Sequence, residues 1–243
     1  MVNSLSRYGV RGLLAIAAYG FAQGAAALSA SPMVVEMESI GEQSRAMLTV
    51  RNGDAQTMSV EVETLAVAVD GDGEATFTPD DESLIVFPPI ASIAPGGSQV
   101  FQIQYAGDPE LGASETFRLS ILQVPVQLDG AEPTLAVATN IHTLVNVAPP
   151  GAIARIEVVS SEPGEVGHEW IVTLRNDGNR HARLQETLWQ ISTPAKNIML
   201  SRADISRHIS GSLVPPNSTR TVKLTPPEGI DLADAKITVV VPD

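Results

Sequence analysis

Alternation with period two runs along most of this chain. In Ser98–Tyr105 (SQVFQIQY), Phe101, Ile103 and Tyr105 fall on one side, and Gln102 and Gln104 on the other. Glu115–Val124 (ETFRLSILQV) alternates in the same way, and so does Met58–Leu65 (MSVEVETL), where acids face the apolar positions. Successive side chains of a β-strand point to opposite faces, so each run predicts a strand with one buried face. The longest run is Pro133–Pro149. Leu135, Val137, Thr139, Ile141, Thr143, Val145 and Val147 share one side of it, and Ala136, Ala138, Asn140, His142, Leu144 and Asn146 the other. Further strands are expected at 31–37, 44–51 and 84–87, with a shorter run at 90–93. Turn signals separate them: Asn52-Gly53-Asp54, Asp70–Glu74, Pro88-Pro89, Pro95-Gly96-Gly97 and Asp129-Gly130. Strands at roughly ten-residue spacing have the rhythm of an immunoglobulin-like sandwich.

Pro149-Pro150-Gly151 reads as a joint between domains, after which the rhythm restarts. Strands are expected at 154–159, 169–175, 183–191, 207–213, 218–224 and 235–241, with no convincing helical period anywhere. The expected fold is all-β: two immunoglobulin-like β-sandwich domains joined at a hinge, residues 28–149 and 150–243. Asn52 and Asn176 each close the second strand of their domain, which hints at two copies of one plan.

Composition changes this picture at one end. Arg7 and Arg11 precede a short apolar run, Gly12–Ala22, and small residues follow to Ala27. A basic segment, an apolar segment and a small-residue cleavage site read as a cleaved signal peptide over residues 1–27. The run is too short to span a bilayer easily, so no membrane insertion is expected. Cleavage would remove two Arg and no acid. The formal charge then changes from −13 to about −15, since 15 − 2 = 13 bases face 28 acids. An anionic surface argues against nucleic acid as a partner. With no cysteine, the exported chain must hold itself together by packing.

Candidate chemistry is sparse. There is no Cys and no G-x-S-x-G elbow, and His142, His168, His181 and His208 are scattered singly, without metal-ligand spacing. Asp70-Gly-Asp-Gly-Glu74 is rich in oxygen ligands but lacks a calcium loop's spacing and distal Glu, so a hairpin turn is expected there. The reading is a non-enzyme with no cofactor and no metal.

The order of motifs resembles the periplasmic chaperones of bacterial pilus and fimbria assembly, the PapD-like proteins. Three stretches carry the likeness: Val86–Ile103 (VFPPIASIAPGGSQVFQI), Phe117–Pro125 (FRLSILQVP), and the alternating strand that ends at Pro149. The resemblance implies two immunoglobulin-like domains set as a boomerang. It also implies that the last strand of the first domain is lent to a pilus or fimbrial subunit lacking its own final strand. The implied partners are that subunit and an outer-membrane usher, and the implied compartment is the periplasm. Carried over residue by residue, the donor-strand residues are Leu135, Val137, Thr139, Ile141 and, marginally, Thr143. Burying Leu135, Val137 and Ile141 in a partner would contribute about 5–9 kcal/mol before ordering costs. On the residues alone, the same row serves equally well as this domain's own core. The family also holds the subunit's C-terminal carboxylate with two basic cleft residues. Here those positions fall near Pro32–Val34 and on about Leu144, and neither carries a base. The substitutes to consider are His142, Arg118 and Arg155. An open apolar edge also predicts self-association when the protein is empty. The reading that competes with a chaperone is an exported structural or surface-appendage component, although the residues after Ala27 are few for a donor extension.

Overall fold

The computed structural model describes residues 28–124, 139–165, 169–209, 213–230 and 235–242. The signal-peptide reading, the Asp129-Gly130 turn, His168 and the donor positions Leu135 and Val137 lie outside the described residues.

Ten strands build the first sandwich: β1 (Leu28–Ser31), β2 (Val34–Glu38), β3 (Arg45–Asn52), β4 (Met58–Val69), β5 (Ala75–Pro79), β6 (Leu84–Phe87), β7 (Ile90–Ile93), β8 (Ser98–Tyr105), β9 (Glu115–Val124) and β10 (Asn140–Ala148). One sheet has the order β1-β3-β8-β6. The other runs β2-β10-β9-β4-β5, with β7 also paired to β4. The expected first strand at 31–37 is two strands: the chain leaves the first sheet at Ser31 and joins the second at Val34. The inner faces meet in an aliphatic core. Leu48, Val50, Phe101 and Ile103 lie on one side of it, and Val60, Phe117, Leu119, Ile121, Val145 and Val147 on the other, all nearly or fully inaccessible. Transfer of this apolar surface from water is the main stabilising term, because no disulfide assists it.

The second sandwich is built from β11 (Ile156–Pro163), β12 (Trp170–Asn176), β13 (Ala182–Arg183), β14 (Leu188–Ser192), β15 (Asn197–Leu200), α1 (Arg202–His208), β16 (Leu213–Val214), β17 (Ser218–Leu224) and β18 (Lys236–Val240). Its sheets are β11-β12-β17, β13-β16 and β15-β14-β18. A separate core gathers Val172, Leu174, Val222 and Leu224 against Trp189, Ile191, Ile237 and Val239. Two sequence expectations are corrected here. The strand expected at 183–191 is broken by a 3-10 turn at Leu184–Glu186. The strand expected at 207–213 begins instead inside α1, the helix that the periodicity did not reveal.

Candidate functional site: the open edge of β10

Strand β10 pairs antiparallel with β9 over its whole length, from Asn140↔Leu122 to Val147↔Glu115. Among the described residues its other edge is only half occupied. β2 runs parallel to it from Leu144↔Val34 to Ala148↔Glu38, and the Leu144 amide donates to the Met33 carbonyl at 3.0 Å. Among the described residues, nothing pairs with that edge before Leu144. Hydrogen-bonding direction alternates along a strand, and Leu144 addresses β2. His142 and Asn140 therefore present their amide and carbonyl to the open side, while Ile141 and Thr143 address β9. This is a strand edge ready to accept another chain.

The side chains divide in the same way. Thr143, Val145 and Val147 are fully buried against the first sandwich's own core, and Ile141 is half-buried against it. The Thr143 hydroxyl has no hydrogen-bond partner there. Thr139 is half-buried, and its amide donates to Gln123 Oε1 at 3.1 Å. From Thr143 onward, then, the odd-numbered side chains belong to this domain's core, and Ile141 lies partly exposed at its margin.

On the other face, Val34 and Leu144 stand directly opposite each other where the resemblance places two bases. The next residue across the sheet from Leu144 is Arg118. Its guanidinium lies 3.7 Å above the Phe77 ring, a cation–π contact on a half-buried surface. No carboxylate pairs with it among the described residues, and its Nε is buried without a partner. His142 lies beside it, with Nδ1 3.2 Å from Ser120 Oγ. Burial and the neighbouring Arg118 charge push the His142 pKa below its ordinary value, so the ring is neutral at pH 7. Arg155 sits apart in the connection between the sandwiches, its amide donating to Asn176 Oδ1. The structure thus brings Arg118 and His142 together and leaves Arg155 outside the pair.

Sequence reasoning missed a polar cluster at the far end of the same strands. Glu36 of β2 accepts from Asn146 Nδ2 at 2.9 Å and from Arg180 at 3.3 Å, and His181 Nε2 lies 3.2 Å from its carboxylate. A carboxylate only accepts, so His181 Nε2 carries the hydrogen. Ser114 Oγ accepts from the His181 amide at 2.8 Å and lies 3.2 Å from Nδ1. Burial alone would raise the Glu36 pKa. The His181 hydrogen bond and charge, the Asn146 amide and the Arg180 charge outweigh it, and the net shift is downward. These residues lie far apart in sequence, and no local pattern marks them.

An immunoglobulin-like sandwich that ends in a half-open strand beside a second such sandwich defines a class of strand-presenting, two-domain proteins. The model of the pili and flagellar-assembly chaperones, PapD N-terminal domain, matches residues 28–152, and the chain belongs to that family. Among solved structures, the class 5 fimbriae chaperone CfaA is 14% identical with TM-score 0.56, covering 88% of this chain and 99% of its own. The YadV chaperone is also 14% identical with TM-score 0.56, covering 88% of this chain and 92% of its own. The CsuC–CsuE pre-assembly complex of Acinetobacter baumannii contains a chain 12% identical with TM-score 0.55, covering 87% and 97%. At such identities these neighbours establish the shared two-domain fold. No curated protein matches the sequence.

Proposed function

We propose that this protein is a periplasmic chaperone that holds pilus or fimbrial subunits by donor-strand complementation. It would need no ATP and would deliver its cargo to an outer-membrane usher. The observation that carries the reading is the open edge of β10 at Asn140 and His142, on the strand that continues the alternating run from Leu135. A subunit strand laid along that edge gains main-chain hydrogen bonds from β10. The apolar residues Leu135 and Val137, with the exposed part of Ile141, supply side chains to its groove. Support also comes from a neighbour that is a chaperone–tip adhesin complex of CFA/I fimbriae biogenesis, 13% identical with TM-score 0.54. Arg118 is the carboxylate anchor we favour: among the described residues it is a guanidinium without an acidic partner, one strand from Leu144. His142, held neutral, contributes a hydrogen bond at most.

Co-purification from periplasm through a tag at Asp243 tests this reading. Wild type should retain a small immunoglobulin-like subunit, and the Val137→Asp, Ile141→Asp double variant should lose it. Arg118→Ala should retain less of it, while His142→Ala should be close to wild type. Equal retention by wild type and the double variant would place binding on another surface and refute strand donation.

A further inference from the structure

Among the described residues, backbone hydrogen bonds join the two sandwiches at two places, at opposite edges of one sheet. The first lies at β2 and the β8–β9 connection. The turn Asp177–His181 after β12 reaches into it. Asn179 O accepts from the Ser114 amide at 2.9 Å, Asn179 Nδ2 donates to Gly112 O at 3.4 Å, and Arg180 and His181 meet Glu36. The second place lies at the other side of the sheet, at the tip of the β4–β5 hairpin. There the Thr221 amide of β17 donates to Gly71 O at 2.8 Å. β12 occupies the opposite edge of β17 along its whole length, so the hairpin tip adds to the edge of the second domain's sheet.

The side chains at this second contact fit closely. Arg220 is only 6% exposed, and its guanidinium donates to the Leu213 carbonyl. A Cβ at Gly73 would fall on that guanidinium. Gly73 has φ +91°, and the turn is tied by Asp70, whose Oδ1 accepts from the amides of Asp72 and Glu74 at 3.0 and 2.8 Å. The turn is thus self-supporting, and its glycine leaves room for the other domain's arginine. Between the two contacts lies a cavity of about 340 Å³, bordered by Ala66–Val69, Thr116 and Pro215.

A single hinge leaves two domains free to rotate about it, whereas contacts at two separated points remove that freedom. The hairpin and β2 stand roughly 15–20 Å apart, taking ordinary strand spacing across β10, β9 and β4. We propose that the β4–β5 hairpin is an interdomain latch. Gly71 and Gly73 seat it on Thr221 and Arg220, and it fixes the angle between the sandwiches independently of what β10 binds.

Residual dipolar couplings measured on the protein lacking residues 1–27 test the latch. Two variants weaken it from opposite sides. Thr221→Pro removes the one amide that faces Gly71, on a strand edge where proline is tolerated. Gly73→Asn keeps a side chain that accepts positive φ but sets its Cβ against Arg220. In wild type both sandwiches should report one common alignment tensor. In either variant they should report two, while the couplings within each sandwich stay unchanged. Should Thr221→Pro disturb the second sandwich itself, Gly73→Asn carries the test, since it alters only a turn of the first. Two tensors in wild type, or a single tensor retained in the folded variant, would overturn the proposal.

Discussion

Two asparagines show how much a single buried amide organises here. Asn52 and Asn176 are both fully buried at the ends of β3 and β12. Asn52 Nδ2 donates to the carbonyls of Gln56, Ile93 and Ala94, and its Oδ1 accepts from the Asp54 amide. Asn176 Nδ2 donates to Arg180, Val214 and Pro215, and its Oδ1 accepts from the amides of Gly178 and Arg155. The bonds to positions i+2 and i+4 recur in both sandwiches. Each side chain is a peg that ties a turn to a more distant loop. Asn176→Ala strands several buried backbone groups and should cost about 1–3 kcal/mol or more. Urea unfolding measures this, and a midpoint equal to wild type would contradict it. The sequence marks both residues by position, as turn residues closing the second strand of each domain. It does not mark their bonds to the distant loops, because those carbonyls lie 38 to 42 residues away.

At the scale of elements, the strands of the first sandwich were legible because a buried face and a wet face impose period two. β8 and β9 follow the expected ranges closely, and the Asp70–Glu74 turn closes the hairpin as its Asp and Gly residues suggested. β5 was not legible: all five of its residues are exposed, so no alternation betrays it. α1 was missed because a helix of seven residues is too short to display a 3.6 period. Its capping box was nonetheless present in the sequence. Ser201 Oγ accepts from the Asp204 amide, and Asp204 accepts from the Ser201 amide. β10 was read correctly as a strand, and its two possible roles divide along its length. From Thr143 onward its odd side chains fill the domain's own core. Ahead of that point nothing among the described residues pairs with its edge. Sequence periodicity cannot separate these roles, because it reports which face a residue is on and not whose core that face meets.

At the scale of the whole molecule, the Glu36 cluster links the domains by charge. The groups facing Glu36 are His181, Arg180 and Arg183 of the second sandwich and Asn146 of its own. Its folded-state pKa is depressed below the ordinary 4.5, so the charged carboxylate stabilises the docked state above that pH. The contribution is lost as pH falls through the lower folded value. As pH falls below the ordinary 4.5, wild type should lose more stability than Glu36→Gln, which has no carboxylate to protonate. Denaturant titrations across that range measure it, and parallel pH curves for the two proteins would contradict the assignment. In the sequence the domain joint is read only from Pro149-Pro150-Gly151, and nothing there marks this cluster. The contacts across the joint come from Glu36, Ser114 and His181 at one place and from Gly71 and Thr221 at the other, residues that no local pattern connects.

The central claim is that the open edge of β10 receives a partner strand, and amide hydrogen exchange on that strand tests it most directly. In the free protein the amides of Ile141 and Thr143, bonded toward β9, should be protected, while those of Asn140 and His142 should exchange freely. On binding a pilus subunit, Asn140 and His142 should become protected as well, with the other two unchanged. If Asn140 and His142 exchange as fast in the complex as in the free protein, the subunit is not held on this edge and the account fails.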